Sequence, residues 1–425
     1  MPDPDVEQAK LRLTRRRFQR LKNRLEAIEG SAVGKETAYS FYHEGRGFAL
    51  GREAYAQFRS VADEVRVARA EWTKAYPASE FETRLSKALV GAPNVEAALA
   101  WFVAALDGEI ADYIAVVPFF GLHLAPGVSI PFGSSELRTL GENALQELIG
   151  GRLRMHLAGR PEHEIRAEIA RVSELLKIIA NVPTIRFEQR CGQRGVVPAL
   201  APCADRVAEF LQFCVALRGR RYERNIVDFR GQYQGRFATF IPVMTAEYDV
   251  FDLPNVRGSV ATHTFDAGDL SELARLGILR LAPFALQPPK RRDSIDAMLW
   301  RSIGMVADGE RSVNPRQALT AYVSACEALF SKQDEAQRIT CAGMAASVAT
   351  DLDAVSHALS LAKEVYQARS DTVHLGMDAA YVVQARNFAL ASVLNIAGRT
   401  SMIRTRSDVR AWVLGNLSRL ERREH

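Results

Sequence analysis

An arginine and a histidine near the C-terminal end of the chain, Arg369 and His374, are the residues best suited to chemistry. A guanidinium offers a planar fork of donors that matches phosphate oxygens and keeps its charge at any working pH. An imidazole titrates near neutrality, so it can take a proton and return it. Arg-x4-His is by itself a loose pattern, and Arg257 with His263 and Arg419 with His425 come within one residue of it. Only the pair at 369 and 374 follows an amphipathic helix. There Val355, Leu359, Ala362 and Tyr366 draw an apolar stripe whose next position is Arg369. A cation where a core residue is due is costly unless its charge is paired, so its placement asks for a reason. The residues from Ser370 to Gly376 read as a turn that brings the imidazole back beside the guanidinium. Ser370 and Asp371 are then the nearest polar supports, and Glu327, on the apolar side of an earlier helix, is the acid that would pair with Arg369. The plainer alternative makes Arg369 a cap on the last carbonyls of its helix and His374 an ordinary loop histidine.

The elements around this pair are helical. Two prolines and three cations in LQPPKRRD (Leu286 to Asp293) mark a linker. Beyond it the pattern predicts helices over Ser294–Ala307, Pro315–Ser331, Asp334–Thr350 and Asp353 to about Arg369. A further helix is capped by Asp378 and ends near Ala397, and an exposed one is capped by Ser407. Short loops between amphipathic helices give an antiparallel bundle. The expected fold class is therefore mainly α, an N-terminal α+β domain followed by a C-terminal all-α bundle. The expected divisions are a basic helix over 1–30, an α+β sensor or targeting domain over 31–287, the bundle over 294–400, and a last helix with a charged tail over 401–425.

ALTAYVSACEALFS, then a helix, then LAKEVYQARSDTVHLG and another helix resembles the HEPN superfamily, in particular its Apea-like branch. The matching positions are Glu327, Tyr366, Arg369, Ser370, Val373, His374 and Gly376. Many active members carry a polar amide or acid directly after the arginine; here Ser370 stands there and Asp371 comes second. The resemblance covers roughly residues 294 to 400. It implies metal-independent RNA cleavage, His374 taking the ribose 2′-OH proton and Arg369 holding the scissile phosphate. It also implies a homodimer whose cleft takes one Arg/His pair from each subunit. A bacterial antiphage-defence or stress effector that cuts tRNA or other cellular RNA, released by a phage-derived or protein trigger, is the expectation. The alternative is a non-catalytic dimerisation and docking module in a larger defence complex.

The preceding region mixes helices with strands. Helical periodicity runs over Arg52–Tyr76, Asn94–Leu106, Glu162–Ala180 and Ala204–Leu217. Strands are expected at Tyr113–Leu124, GVSIPF, TIRFEQRC and GRFATFIPVMTAEYDVF. No GxGxxG or Walker loop is present. The first helix, Val6 to Glu29, keeps a seam of Leu11, Phe18, Leu21, Leu25 and Ile28. Its other faces carry Lys10, Arg12, Arg15, Arg16, Arg17, Arg20, Lys22 and Arg24 without an acid among them. Such a run is either a solvated coat or a phosphate-binding face. Arg15, Arg16 and Arg20, with Arg220 and Arg221 from a second basic stretch, are the candidate RNA contacts.

A net charge of +5 is too mild to announce a nucleic-acid binder on its own. The 5 cysteines form no CxxC pair, and their odd number fits reduced thiols better than a disulfide frame or a zinc site. His123, His263, His156 and His163 lack companions at metal-ligand spacing, so neither metal nor cofactor is expected. No apolar run approaches the ~20 residues of a membrane span, and MPDPDVEQAK lacks the apolar core of a secretory signal. A cytoplasmic protein is the expectation.

Overall fold

A computed structural model describes residues 19–20, 22–23, 26–28, 37–68, 72–73, 76–109, 111–145, 147, 161–167, 170, 180–191, 196–219, 227, 230–233, 236–239, 243–244, 263–291, 293–331, 336–349, 352–375 and 380–421. The chain is mostly helical, with small sheets toward the N-terminal side and a helical C-terminal part. It forms two compact units, both discontinuous: Met1–Ala115, Glu188–Ala201 and Val243–Asp249 make the first, and Val116–Phe187, Pro202–Pro242 and Val250–His425 the second.

In the first unit, β1 (Glu26–Ile28), β2 (Thr37–His43) and β3 (Arg46–Gly51) form an antiparallel sheet with β3 in the middle. The expected N-terminal helix therefore does not reach Glu29, because Glu26–Ile28 pairs with Gly47–Ala49 as a strand. The backbone of 19–20 and 22–23 is helical; Leu11, Phe18 and Leu21 of the expected seam lie outside the described residues. Helices α1 (Arg52–Ala68), α2 (Ala78–Gly91) and α3 (Val95–Glu109) follow. The sequence reading missed α2, although Phe81, Leu85 and Leu89 recur every four residues and are all buried. Phe81 and Phe102 meet edge to face with centroids 5.0 Å apart, and the buried Tyr76 hydroxyl donates to the Leu106 carbonyl at 2.8 Å.

The expected strand Tyr113–Leu124 is broken. It splits into β4 (Ala111–Pro118) and β5 (Leu122–Leu124) at Gly121, whose φ of 86° a side chain would resist. β6 (Ser129–Phe132) and β7 (Ser135–Thr139) make a hairpin, and β7 pairs antiparallel with β8 (Pro183–Cys191). Helix α4 (Val196–Arg218) follows, then the hairpin of β9 (Arg230–Tyr233) and β10 (Arg236–Thr239), and β11 (Val243–Met244) on β4. β12 (His263–Phe265) runs parallel to β5. Helix α5 (Ala267–Arg275) opens with a capping box between Asp266 and Asp269, a signal the sequence reading passed over. Among the described residues no helix is long and apolar enough to cross a membrane.

The helical part comprises α6 (Ile295–Arg311), α7 (Pro315–Phe330), α8 (Ala336–Val348), α9 (Leu352–Leu375), α10 (Val382–Ala397) and α11 (Arg406–Glu421). Ser294 caps α6 and Asn314 caps α7, each side chain accepting from a backbone N–H of the first turn. Between α7 and α8, Gly343 admits the Phe330 ring where a Cβ would stand only 2.4 Å from it. Two ends differ from expectation. Tyr381, in the left-handed conformation at φ 61°, precedes α10, and Asp378 lies outside the described residues. Thr405 rather than Ser407 caps α11: its hydroxyl accepts from Asp408 N at 3.3 Å, while the Asp408 carboxylate accepts from the N–H groups of Arg404 and Thr405. Those bonds, the Arg404 one foremost, hold the Asp408 carboxyl below the usual carboxylate range. Nor is α11 merely exposed, since Val409 and Val413 are buried.

Candidate active site

The apolar side of α9 differs from the expected stripe by one register. Ala358, Ala362, Val365 and Thr372 are buried, whereas Val355, Leu359 and Tyr366 are half-buried. Arg369 lies between Val365 and Thr372 in that 4-3-4-3 seam, at a position where a bundle helix ordinarily places an apolar side chain. Beyond Arg369 the helix is covered on one side and open on the other: Thr372 is buried, whereas Val373 is 50% exposed.

The expected turn after Arg369 does not form. The helix continues through Leu375, with His374 inside it. Apolar positions persist at Val373 and Leu375, and the first glycine comes only at Gly376, so nothing local ends the helix sooner. Five positions along an α-helix amount to about 140° around its axis, so one helix does not set positions 369 and 374 side by side.

Glu327, in the last turn of α7, is brought to this seam. Its Oε1 accepts from the Tyr366 hydroxyl at 2.7 Å, and its Oε2 stands 3.8 Å from Arg369 Nη2. Tyr366 and Arg369 are three residues apart on α9, which is why one carboxylate reaches both. Burial, then the bond to Glu327 and its charge, push the Tyr366 phenol up to about 12. Arg369 Nε is shielded from solvent without a hydrogen-bond partner among the described residues, and so is Thr372 Oγ1. Asp371, by contrast, accepts from Gln367 Nε2 at 2.7 Å on its own helix. Residues two apart on a helix do not face each other, and Asp371 makes no described contact with Arg369. Ser370 is half-buried beside it.

A second arginine pair in the helical part, between α10 and α6, makes the first informative. Arg386 of α10 donates from Nε to Glu310 Oε1 at 2.5 Å, and from Nη2 to the carbonyls of Ala216 and Gly219 at 2.7 and 2.9 Å. Tyr322 donates to the same Glu310 oxygen at 2.9 Å. The Arg386 and Glu310 side chains are only 9% and 7% exposed, against 24% and 21% for Arg369 and Glu327. Arg386 is thus consumed by structure, closing the end of α4 onto α6, α7 and α10. The Arg369 pair lies beyond hydrogen-bond length and is more exposed, so among the described residues its guanidinium is only loosely held. Sequence reasoning missed Arg386, although an arginine in VVQARNFALASVL is as anomalous as one at 369.

Of the candidate RNA contacts, Arg20 is an exposed helical residue; Arg15, Arg16, Arg220 and Arg221 lie outside the described residues. Arg218, at the start of the second basic stretch, is taken up by Asp269 at 2.8 Å and Glu272 at 2.9 Å. Cys214, Cys326 and Cys341 are buried, and burial pushes the Cys326 thiol up to about 12. Among the described residues no group of three or more His, Cys, Asp or Glu is placed to hold a metal ion. The chain matches no protein-family model, no curated protein and no solved structure.

Proposed function

We propose that the chain is a metal-independent RNA endonuclease of the HEPN type, with Arg369 and His374 as its active residues. The observation that carries this reading is Arg369: a cation at a core position of α9, only loosely paired, one turn from the exposed Val373. A guanidinium in that state is suited to a phosphate, which would offer it bidentate, charge-assisted bonds that Glu327 does not. His374 would take the 2′-OH proton. The 2′-oxygen would then attack phosphorus and the P–O5′ bond break, a proton going to the departing oxygen, to leave a 2′,3′-cyclic phosphate and a 5′-OH. Arg369 would offset the charge that gathers on the phosphoryl oxygens. Because 369 and 374 stand apart around one helix, two copies meeting over the ends of their α9 helices would supply complementary halves of a cleft. Exposed Val373, Tyr381 and Val383, from the end of α9 and the start of α10, fit such a meeting and equally favour the second reading, a docking module without catalysis.

Pure protein incubated with total RNA in EDTA separates the readings. Arg369→Ala and His374→Ala should each abolish cleavage while the helices stay folded, and the double variant should be no worse than either single. Wild-type cleavage by His374→Ala, with contaminating ribonuclease excluded, would end the catalytic reading. No cleavage by the wild type, with self-association lost on Val373→Asp, would establish the docking one.

A further inference from the structure

Among the described residues the helical part holds two Tyr–Glu–Arg triads with different geometry. In the closed one, Tyr322 and Arg386 Nε both bond Oε1 of Glu310, so the tyrosine and the arginine converge on one oxygen. In the open one, Tyr366 takes Oε1 of Glu327 at 2.7 Å and Arg369 faces Oε2 at 3.8 Å. The short, directed bond of Glu327 is therefore to the tyrosine. Were that hydroxyl absent, Arg369 would be the strongest donor left to the carboxylate, and a modest rotation would close a pair like that of Glu310 with Arg386.

We propose that Tyr366 is a positioning residue of the proposed site: by bonding Oε1 it holds Glu327 off Arg369 and keeps the guanidinium open to an RNA phosphate. This rests on the ribonuclease reading for its consequence, but not for the contact itself. Glu327 has two opposed effects. It stabilises the charge of Arg369 in the resting protein, and it competes with the substrate for the same donors. Tyr366 sets the balance between them, being three residues from Arg369 on the same helix and directed at the same carboxylate.

The test is a set of variants read in two ways. Toward total RNA, Tyr366→Phe should raise KM by roughly ten- to a hundredfold, the worth of a hydrogen bond to a charged group, with kcat less affected. Adding Glu327→Gln to Tyr366→Phe should bring KM back, because an uncharged amide does not compete for the guanidinium. Were Tyr366 a mere structural prop, the second change would leave KM as high or raise it, and that result would overturn the proposal. Without RNA, the coupling between Glu327→Gln and Arg369→Met in chemical denaturation should grow when residue 366 is Phe. An unchanged coupling would overturn the proposal whatever happens to RNA. A wild type inert toward RNA, with a coupling that does grow, would refute the ribonuclease reading while supporting the restraint on Glu327.

Discussion

The contrast between the two arginine pairs can be tested by replacing each arginine with leucine. In Arg386→Leu, the Glu310 carboxylate stays in a site where it is only 7% exposed, without its cation, and the carbonyls of Ala216 and Gly219 lose their shared donor. Tyr322 remains as a single neutral donor. Removing one member of a buried, hydrogen-bonded pair costs about 3–5 kcal/mol. Folded proteins hold a margin of only about 5–15 kcal/mol, so this change should consume roughly a fifth of it or more. In Arg369→Leu, the lost pair spans 3.8 Å and its members are 24% and 21% exposed, a setting worth about 0–1 kcal/mol. The leucine also continues the seam of Ala362, Val365 and Thr372, so the net change should be near zero. Denaturation followed by tryptophan fluorescence suits the comparison, because Trp300 is buried on α6, the helix that bears Glu310. Glu310→Leu added to Arg386→Leu should recover much of the loss, since removing both charges leaves no buried ion behind. Equal destabilisation by the two single variants, or a larger one from Arg369→Leu, would refute the division of the pairs into structural and available.

Thiol chemistry checks the packing. Of Cys203, Cys214, Cys326 and Cys341, only half-buried Cys203 should react with a thiol reagent in the native protein; the other three, their thiols pushed up by burial, should react only on unfolding. Gly309→Ala would place a Cβ 2.5 Å from the buried Tyr322 ring and should cost about 1–3 kcal/mol in denaturation, with little effect expected from alanine at the open Gly415. The last concerns pH. Burial foremost, opposed by Arg311, raises the Glu209 carboxyl above its ordinary 4.5. Its neutral form is thus favoured in the folded state, and the stability this gives is complete below 4.5 and lost as pH rises through the raised value. Glu209→Gln should therefore match the wild type in denaturation at pH 4 and exceed it at pH 8; a difference that does not change with pH would contradict this.

What the chain reveals by its order alone is local. The helices around Arg369 were legible because Leu319, Tyr322, Val323, Cys326, Leu329 and Phe330 repeat at helical steps, although the caps that Ser294 and Asn314 supply were not read. Arg369 and Glu327 could be singled out as polar residues on apolar faces, since a helix fixes which residues share a side. Other signals were present but weaker than their surroundings: β7 is a five-residue strand, SELRT, with a single buried apolar position, and α9 outran its expected end because no glycine or proline stops it before Gly376. Tertiary structure alone decided which arginine is structural. Arg369 and Arg386 look alike in sequence, each a cation among apolar neighbours, and the difference lies in what other segments bring to them. Carbonyls from Ala216 and Gly219, some 170 residues earlier, close around Arg386, while around Arg369, among the described residues, Glu327 stands at 3.8 Å with its other oxygen held by Tyr366. A guanidinium becomes a brace or a free donor according to how many acceptors reach it, and those acceptors come from parts of the chain whose distance along the sequence says nothing of their distance in space.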